Sequence, residues 1–440
     1  MDKPILPETG PITEIAILKV ARLKIAAAAC FGYLQNALGQ NLITVIVKVF
    51  GGKDFHLGLV SAIASMGQVL QFAGSLILQK IASNKKGYLT GGAISIIALL
   101  FSAFFVFHAH SSWSNGAFTG YILMVFLLAL GGAICGNIAV SWIGDLVPKD
   151  KLGWFFSLKW IAINVVTIIG GLSLAKIADV YPTPKGYALI LILGTAASII
   201  AMLIFLTVPD RTPKTTSFFG SGKNGKDRLN YGNSVLWCYV AFYVIWAGGR
   251  TLLNTFAPVY LIDKFHFKLT DLAWLNTLCL TVSIIVIYII GNLSGKKGSR
   301  ILLLLMSGGV GVLMYLWVLS AYFGIVPIII YYILSGAAGQ THSMLAINYG
   351  IEIFPDKGRS AYLAFARFFI GGISIIAPFL AGYVMTIFHN VQYQIGGATI
   401  DRYHLCFLAG ATITVFCTVP LFIAGNRTVQ PLNNDAIQQN

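Results

Sequence analysis

Three cations lie inside long apolar stretches of the 440-residue sequence, at Lys159, Arg250 and Arg367. Each is flanked on both sides by uncharged residues over at least one helical turn. An ionisable group inside a bilayer is costly to bury and usually serves a function. Each of these cations therefore needs an acidic side chain, a helix end or an anionic ligand as its partner.

Arg250 is the clearest candidate for binding an anion. It lies in the segment WAGGRTLLN, where the two glycines would let a ligand approach or the helix bend. No Asp or Glu falls at mid-depth of any apolar stretch, and a guanidinium presents a bidentate fork that matches carboxylate or phosphate. We predict that Arg250 binds substrate together with its neighbours Trp246 and Asn254. A structural arginine, satisfied by helix ends and side-chain amides, is the alternative.

Polar residues in other apolar stretches are predicted to complete this site. Amides can bind solute hydroxyls or simply join helices, and both interpretations stay open for any single residue. The residues assigned to substrate binding are Gln35, Asn36, Asn137, Gln340 and His342. His342 is also the histidine placed to carry a proton at mid-depth, and a hydrogen-bonded packing role is its alternative.

Long apolar helices must carry these residues. The chain is 57% hydrophobic and only 10% charged, which is too little charge to cover a soluble protein. A bilayer core of about 30 Å takes about 20 apolar residues per helix. The apolar runs predict an all-α polytopic membrane protein. After an amphipathic lead-in at 12–24, twelve transmembrane helices are predicted at 25–49, 56–81, 88–107, 118–147, 154–177, 187–208, 234–262, 270–293, 301–323, 326–354, 361–387 and 405–424.

The predicted spans fall into two groups of six. A polar stretch at 209–232, rich in Lys, Gly, Ser and Thr, is predicted to be a cytoplasmic linker. It separates an N-terminal bundle within 1–208 from a C-terminal bundle within 233–425, and 426–440 is predicted to be a polar tail. Lys and Arg concentrate in the loops on the side of both termini. The positive-inside rule therefore predicts that both termini are cytoplasmic.

The formal net charge of +15 has the same origin. Because the basic residues lie in short loops between apolar runs, we expect no nucleic-acid binding. The six cysteines lie singly inside apolar runs without CxxC spacing, and we expect free thiols. No metal site, cofactor or nucleophile–base pair is predicted, so we expect the protein not to be an enzyme.

A repeated motif relates the two halves. The turn at 291–300 reads GNLSGKKGSR between spans 8 and 9, and a looser basic turn lies at 75–87 after span 2. Spans 4 and 10 each end with an acid three residues before a proline, at Asp145 and Glu352. Six plus six helices, a basic linker and this turn resemble the major facilitator superfamily. The usual family turn has Asp where this chain has Gly295.

The resemblance implies a secondary transporter in which two bundles rock about a central site. It also implies a cytoplasmic gate of ion pairs that form in one state and break in the other. The residues assigned to this gate are Asp145 with Lys80, Lys85 or Lys86, and Glu352 with Lys296 or Arg300. Lys159 and Arg367 could each reach the acid that ends the preceding helix, or bind substrate. Solvated charges with little effect are the alternative.

We predict transport of a small, polar and anionic organic solute, since the span that carries Arg250 lines the cavity in the superfamily. Export of amphiphilic, drug-like or siderophore-like compounds is one alternative, although the GPxxGG run usual in drug/proton antiporters is missing. A non-transporting membrane sensor or assembly factor is another. The expected partners are the solute, the lipid bilayer and a coupling ion (proton or sodium) or counter-anion. We expect a monomer in a bacterial inner membrane.

Overall fold

The structure, a computed structural model, describes residues 11–34, 36–78, 84–109, 114–146, 152–208, 231–297, 299–355, 359–425 and 427–429. The helices before residue 209 are α1 Pro11–Leu34, α2 Gly39–Val49, α3 Asp54–Leu78, α4 Asn84–Phe107, α5 Ser114–Leu146, α6 Leu152–Val180 and α7 Pro184–Leu206. Those after residue 230 are α8 Ser234–Phe265, α9 Leu269–Lys297, α10 Ser299–Met314, α11 Leu316–Phe323, α12 Val326–Ser335, α13 Gly339–Ile353, α14 Arg359–Ile387, α15 Arg402–Phe416 and α16 Thr418–Ala424.

Helices of membrane-spanning length make up most of this fold. In the part of the chain that the structure describes, nine helices are long and apolar enough to cross a bilayer. Several begin at side-chain caps: the Thr183 hydroxyl accepts from Gly186 N–H before α7, and the Asn233 amide oxygen accepts from Val235 N–H before α8. The predicted all-α polytopic fold is confirmed.

The first predicted span, 25–49, is wrong because it is not one continuous helix. The lead-in and the first part of the span form one helix, α1, and α2 starts anew at Gly39. Gly39 has a φ of +47°, a left-handed conformation that favours glycine, and Leu38 offers no side-chain cap. The amide residues Gln35, Asn36, Gln40 and Asn41 flank this break, and the prediction placed them inside one continuous span.

Predicted span 10, at 326–354, is also broken, into α12 and α13. The connecting turn includes Gly336, which packs so closely on α9 that a Cβ there would lie 2.2 Å from the carbonyl oxygen of Cys279. Spans 9 and 12 are interrupted at Tyr315 and Cys417. The predicted loop before span 12 contains an antiparallel pair of strands, β1 Gln392–Ile395 and β2 Ala398–Asp401.

The two groups of helices meet through close backbone contact between α3 and α14. A Cβ on Gly58 would lie 2.3 Å from the carbonyl oxygen of Pro378, and one on Gly382 would lie 3.0 Å from the Cα of Gly58. Small residues are the usual means of bringing membrane helices together. We call the end of the molecule that carries β1 and β2 the hairpin end, and the opposite end, where α8 begins, the linker end.

Candidate substrate-binding site

Arg250 lies near the middle of α8, about 24 Å along a helix of about 48 Å. Its Nη1 donates a hydrogen bond to Tyr331 Oη on α12 at 3.0 Å. Its guanidinium carbon lies 5.7 Å from the centre of the Trp246 ring, one turn earlier on α8. Both partners are neutral, and in the described ranges no carboxylate forms an ion pair with Arg250. Its charge is therefore uncompensated there.

Trp246 connects Arg250 to His342 on α13. The two rings are stacked, with centroids 3.6 Å apart and planes 3° from parallel. His342 is 1% exposed. Neither Trp246 Nε1 nor His342 Nε2 has a hydrogen-bond partner among the described residues, and the buried hydroxyl of Thr341 beside it has none either. Buried polar atoms are normally paired, so these atoms are available to hydrogen-bond with a bound molecule.

The break between α12 and α13 places a helix start at this cluster. Tyr331 precedes the break, while Thr341 and His342 lie in the first turn of α13. The first N–H groups of a helix have no partner within it, and Ala338 provides no side-chain cap. A helix N-terminus carries partial positive charge. It adds to the charge of Arg250, and both favour an anion.

The start of α2 lies at a similar depth in the other group. Lys48 on α2 pairs with Asp263 on α8, so these two residues lie at the same depth along the two helices. Gly39 is nine residues from Lys48, or about 14 Å, and Arg250 is thirteen residues from Asp263, or about 20 Å. The two positions therefore differ by only about 6 Å along the helix axes.

The structure describes the side chains of only two of the other residues predicted to bind substrate. Asn254 is exposed on α8, one turn beyond Arg250, and Asn36 is exposed in the break before α2. Gln35 lies outside the described residues, as do the side chains of Asn137 and Gln340. The structure thus brings together Arg250, Trp246 and His342. It also adds Tyr331, which sequence reasoning missed because it is one of two adjacent tyrosines in an apolar run.

The structure describes contacts of two of the residues assigned to the gate at the linker end, Glu352 and Arg300. Glu352 accepts a hydrogen bond from the backbone N–H of Ser299 at 3.2 Å. Arg300 donates from Nε and Nη2 to the carbonyl oxygen of Leu421. Both contacts lie within the C-terminal group. They order this end of the group, and the gating role of the two side chains stays a prediction.

The structure describes only some of the remaining residues that were assigned to the gate. Lys159 places its ammonium 5.2 Å from the Trp160 ring centre, Arg367 is exposed on α14, and Lys85 and Lys86 lie in the first turn of α4. Lys80 and the side chains of Asp145 and Lys296 lie outside the described residues. Their gating roles remain predictions.

Ion pairs between the two groups lie at the hairpin end. Lys48 on α2 pairs with Asp263 on α8, and Arg402 Nε on α15 lies 3.0 Å from Asp54 Oδ2 on α3. The Arg402 Nε–H is not aligned for a hydrogen bond, so this second pair is chiefly Coulombic. Asp179 on α6 also accepts from the first two N–H groups of α9. These charges are visible in the sequence, but their pairing is not.

A cavity of about 380 Å³ lies among these pairs. Its lining includes Lys48, Asp54, Val259, Asp263 and Arg402, so the ion pairs form its walls. Burial raises the pKa of the Asp54 carboxyl, and the nearby Asp263 acts in the same direction, although Arg402 opposes both.

Asp401 is a second charged centre at the hairpin end. It forms a capping box with His404 at the start of α15, and its Oδ2 lies 2.7 Å from Lys264 Nζ. Burial alone would raise the pKa of Asp401. Hydrogen bonds from His404 and Lys264 outweigh that effect and hold the pKa well below its usual range.

The fold defines a polytopic helical protein with a polar cluster deep inside one group of helices. The family model of the Major Facilitator Superfamily matches residues 29–351 and 249–439. The chain belongs to this superfamily.

Comparison with individual proteins gives weaker likenesses. The chain is 25% identical over 265 residues to a probable nitrate/nitrite antiporter, NarK1, of Thermus thermophilus, and the match covers 58% of this chain and 56% of that protein. It also resembles solved structures of a variant of the nucleoside transporter NupG (TM-score 0.72, 15% identity, 92% and 99% coverage) and a D-xylose–proton symporter (TM-score 0.69, 14% identity, 96% and 100% coverage). At these identities the solved structures show the fold alone.

Proposed function

We propose that the protein is a secondary transporter that moves a small, polar and anionic organic solute by alternating access. Arg250 anchors the anion. The observation that carries this proposal is the setting of Arg250: a guanidinium deep in α8 whose described partners are a phenol and an indole ring. A cation without a counter-ion in a low-dielectric region attracts an anion strongly. The likeness to a probable nitrate/nitrite antiporter agrees with an anionic substrate.

Alternating access is supported by where the two groups of helices are joined. The described ion pairs between them, Lys48–Asp263 and Arg402–Asp54, both lie at the hairpin end. Breaking these pairs and closing the linker end would expose the Arg250 site to the other side of the membrane. We propose that the hairpin end is the outer end, that both termini are cytoplasmic and that the membrane is a bacterial inner membrane. The basic loops at the linker end support this orientation.

Uptake into proteoliposomes tests the role of Arg250. We expect Arg250→Gln to abolish uptake of the anion, because it removes the charge and the fork while keeping a polar side chain of similar length. Arg250→Lys keeps the charge without the fork and should retain part of the activity. Lys268→Gln removes an exposed cation at the hairpin end and is the matched control. Near-normal transport and affinity in Arg250→Gln would refute the proposal.

A further inference from the structure

Three buried side-chain atoms, on Trp246 and in the first turn of α13, lack hydrogen-bond partners among the described residues and share one chemical character. An indole N–H donates only, a threonine hydroxyl can donate, and a neutral imidazole offers one N–H whose position depends on its tautomer. The atoms concerned are Trp246 Nε1, Thr341 Oγ1 and His342 Nε2. Together with the guanidinium and the start of α13, they form a set rich in donors, and in the described residues no carboxylate contacts it.

The packing around the Trp246–His342 stack also limits what can bind. The three unpartnered atoms are almost completely covered, and the rings of Trp246 and His342 are in direct contact. A bulky group would have to separate this stack. A flat group of three or four heavy atoms could instead lie at the ring edges and replace the Tyr331 hydroxyl on Arg250. Such a group must supply several acceptor oxygens in one plane to satisfy the guanidinium fork and a second donor together.

We infer that this site recognises a planar, trigonal oxyanion group, a carboxylate or a nitrate-like ion, with Thr341 and Trp246 as the residues that select it. This inference rests on the proposed function and specifies the anion. Arg250 binds two oxygens through its fork. The Trp246 N–H and the Thr341 hydroxyl donate to the remaining lone pairs, and the positive end of α13 stabilises the charge. A halide has no fixed geometry to match these donors, and a tetrahedral anion does not lie flat against the rings.

Binding to the purified full-length protein in detergent tests the inference, with thermal stabilisation as the readout and nitrate, formate, chloride and sulfate as probes. We expect saturable stabilisation by nitrate or formate at concentrations at least tenfold below those needed for chloride or sulfate. Stronger stabilisation by nitrate than by formate would indicate an inorganic ion, and the reverse order would indicate a carboxylate group. Equal responses to all four anions would overturn the inference.

Two conservative variants separate selection from folding. Thr341→Val removes only the hydroxyl, and Trp246→Phe keeps an aromatic ring against His342 while removing the N–H. We expect each to weaken binding of the preferred oxyanion at least fivefold and to leave weak chloride binding unchanged. Thr195→Val is the matched control, since the buried Thr195 hydroxyl donates to Leu191 O in α7, in the other group of helices.

The outcomes distinguish this inference from the proposal on which it rests. Unchanged oxyanion affinity in both Thr341→Val and Trp246→Phe would refute the inference, while loss of uptake in Arg250→Gln would still support anion transport. Normal uptake and normal anion binding in Arg250→Gln would refute both.

Discussion

The ion pair between Asp54 and Arg402 joins the two groups of helices, and we predict that Asp54→Asn opens the hairpin end. The substitution keeps the size of the side chain but removes its charge. It leaves Arg402 with its hydrogen bonds to the His389 carbonyl oxygen and the Tyr403 hydroxyl, both in its own group. The variant should therefore fold, with its conformational equilibrium shifted.

The size of the shift follows from burial. Exposed ion pairs contribute about 0.2–1 kcal/mol, whereas removing one partner of a buried pair costs about 3–5 kcal/mol. The side chains of Arg402 and Asp54 are 19% and 11% exposed, and their contact lacks hydrogen-bond alignment. We therefore place the pair between these limits, at about 1–3 kcal/mol. At about 1.4 kcal/mol per factor of ten, the population open at the hairpin end should rise roughly 5- to 150-fold.

Reactivity of a single cysteine measures this population. Val259 lines the hairpin-end cavity and is 5% exposed, so Val259→Cys in a background without the six native cysteines reacts with a soluble maleimide only when that end opens. When opening is fast, the rate follows the open population. In Asp54→Asn we expect the rate of maleimide labelling to rise roughly 5- to 150-fold, in proportion to the open population. It should rise less in Lys48→Gln, because Lys48 and Asp263 are 31% and 39% exposed.

A charge at the same end that does not join the groups serves as control. Asp271 accepts the N–H of Lys268 within its own turn, and Asp271→Asn should leave the rate of Val259→Cys unchanged. If Asp54→Asn reacts no faster than this control, the pair does not hold the groups together and the reasoning fails.

Three further predictions concern stability in detergent. Asp401→Asn should cost about 1–3 kcal/mol in the free energy of unfolding through loss of the partly buried ion pair with Lys264, since the asparagine amide oxygen can still cap α15. Because the folded pKa of Asp401 is depressed, its contribution to stability is complete above a pH of about 4 and is lost as the pH falls further. The melting temperatures of wild type and Asp401→Asn, measured over a series of pH values, should therefore converge only in acid. Gly58→Ala should disrupt α3–α14 packing and lower both transport and melting temperature, whereas Gly132→Ala, which meets open space, should change neither. Gly39→Ala should destabilise by about 1–2 kcal/mol in thermal unfolding, because its left-handed conformation is strained for any other residue.

Much of the fold could be predicted because membrane insertion imposes long apolar helices that hydropathy detects. The same rule explains why the helix breaks were missed. The breaks at Gly39 and at Gly336 both fall inside segments long enough to span a bilayer, and glycine alone does not distinguish a break from close packing.

The candidate site was only partly predictable. Arg250 was found because a charge inside an apolar stretch is conspicuous, and His342 because it is polar in such a stretch. Tyr331 gave no such signal, although it provides the hydrogen bond to Arg250. The missing partners of Trp246 and Thr341 also became apparent only from packing, since a sequence does not show which polar atoms remain unpaired.

The sequence by itself determined that this is a multi-pass helical membrane protein of the Major Facilitator Superfamily with an arginine near the middle of a spanning helix. These properties depend on composition and local order along the chain. Tertiary structure alone decided that Asp54 meets Arg402, and that a helix start, the Tyr331 hydroxyl and the His342 ring join Arg250 and Trp246. Such contacts join residues far apart in the chain, because the stacking of helices is set by backbone approach at small residues and by the complementarity of whole faces.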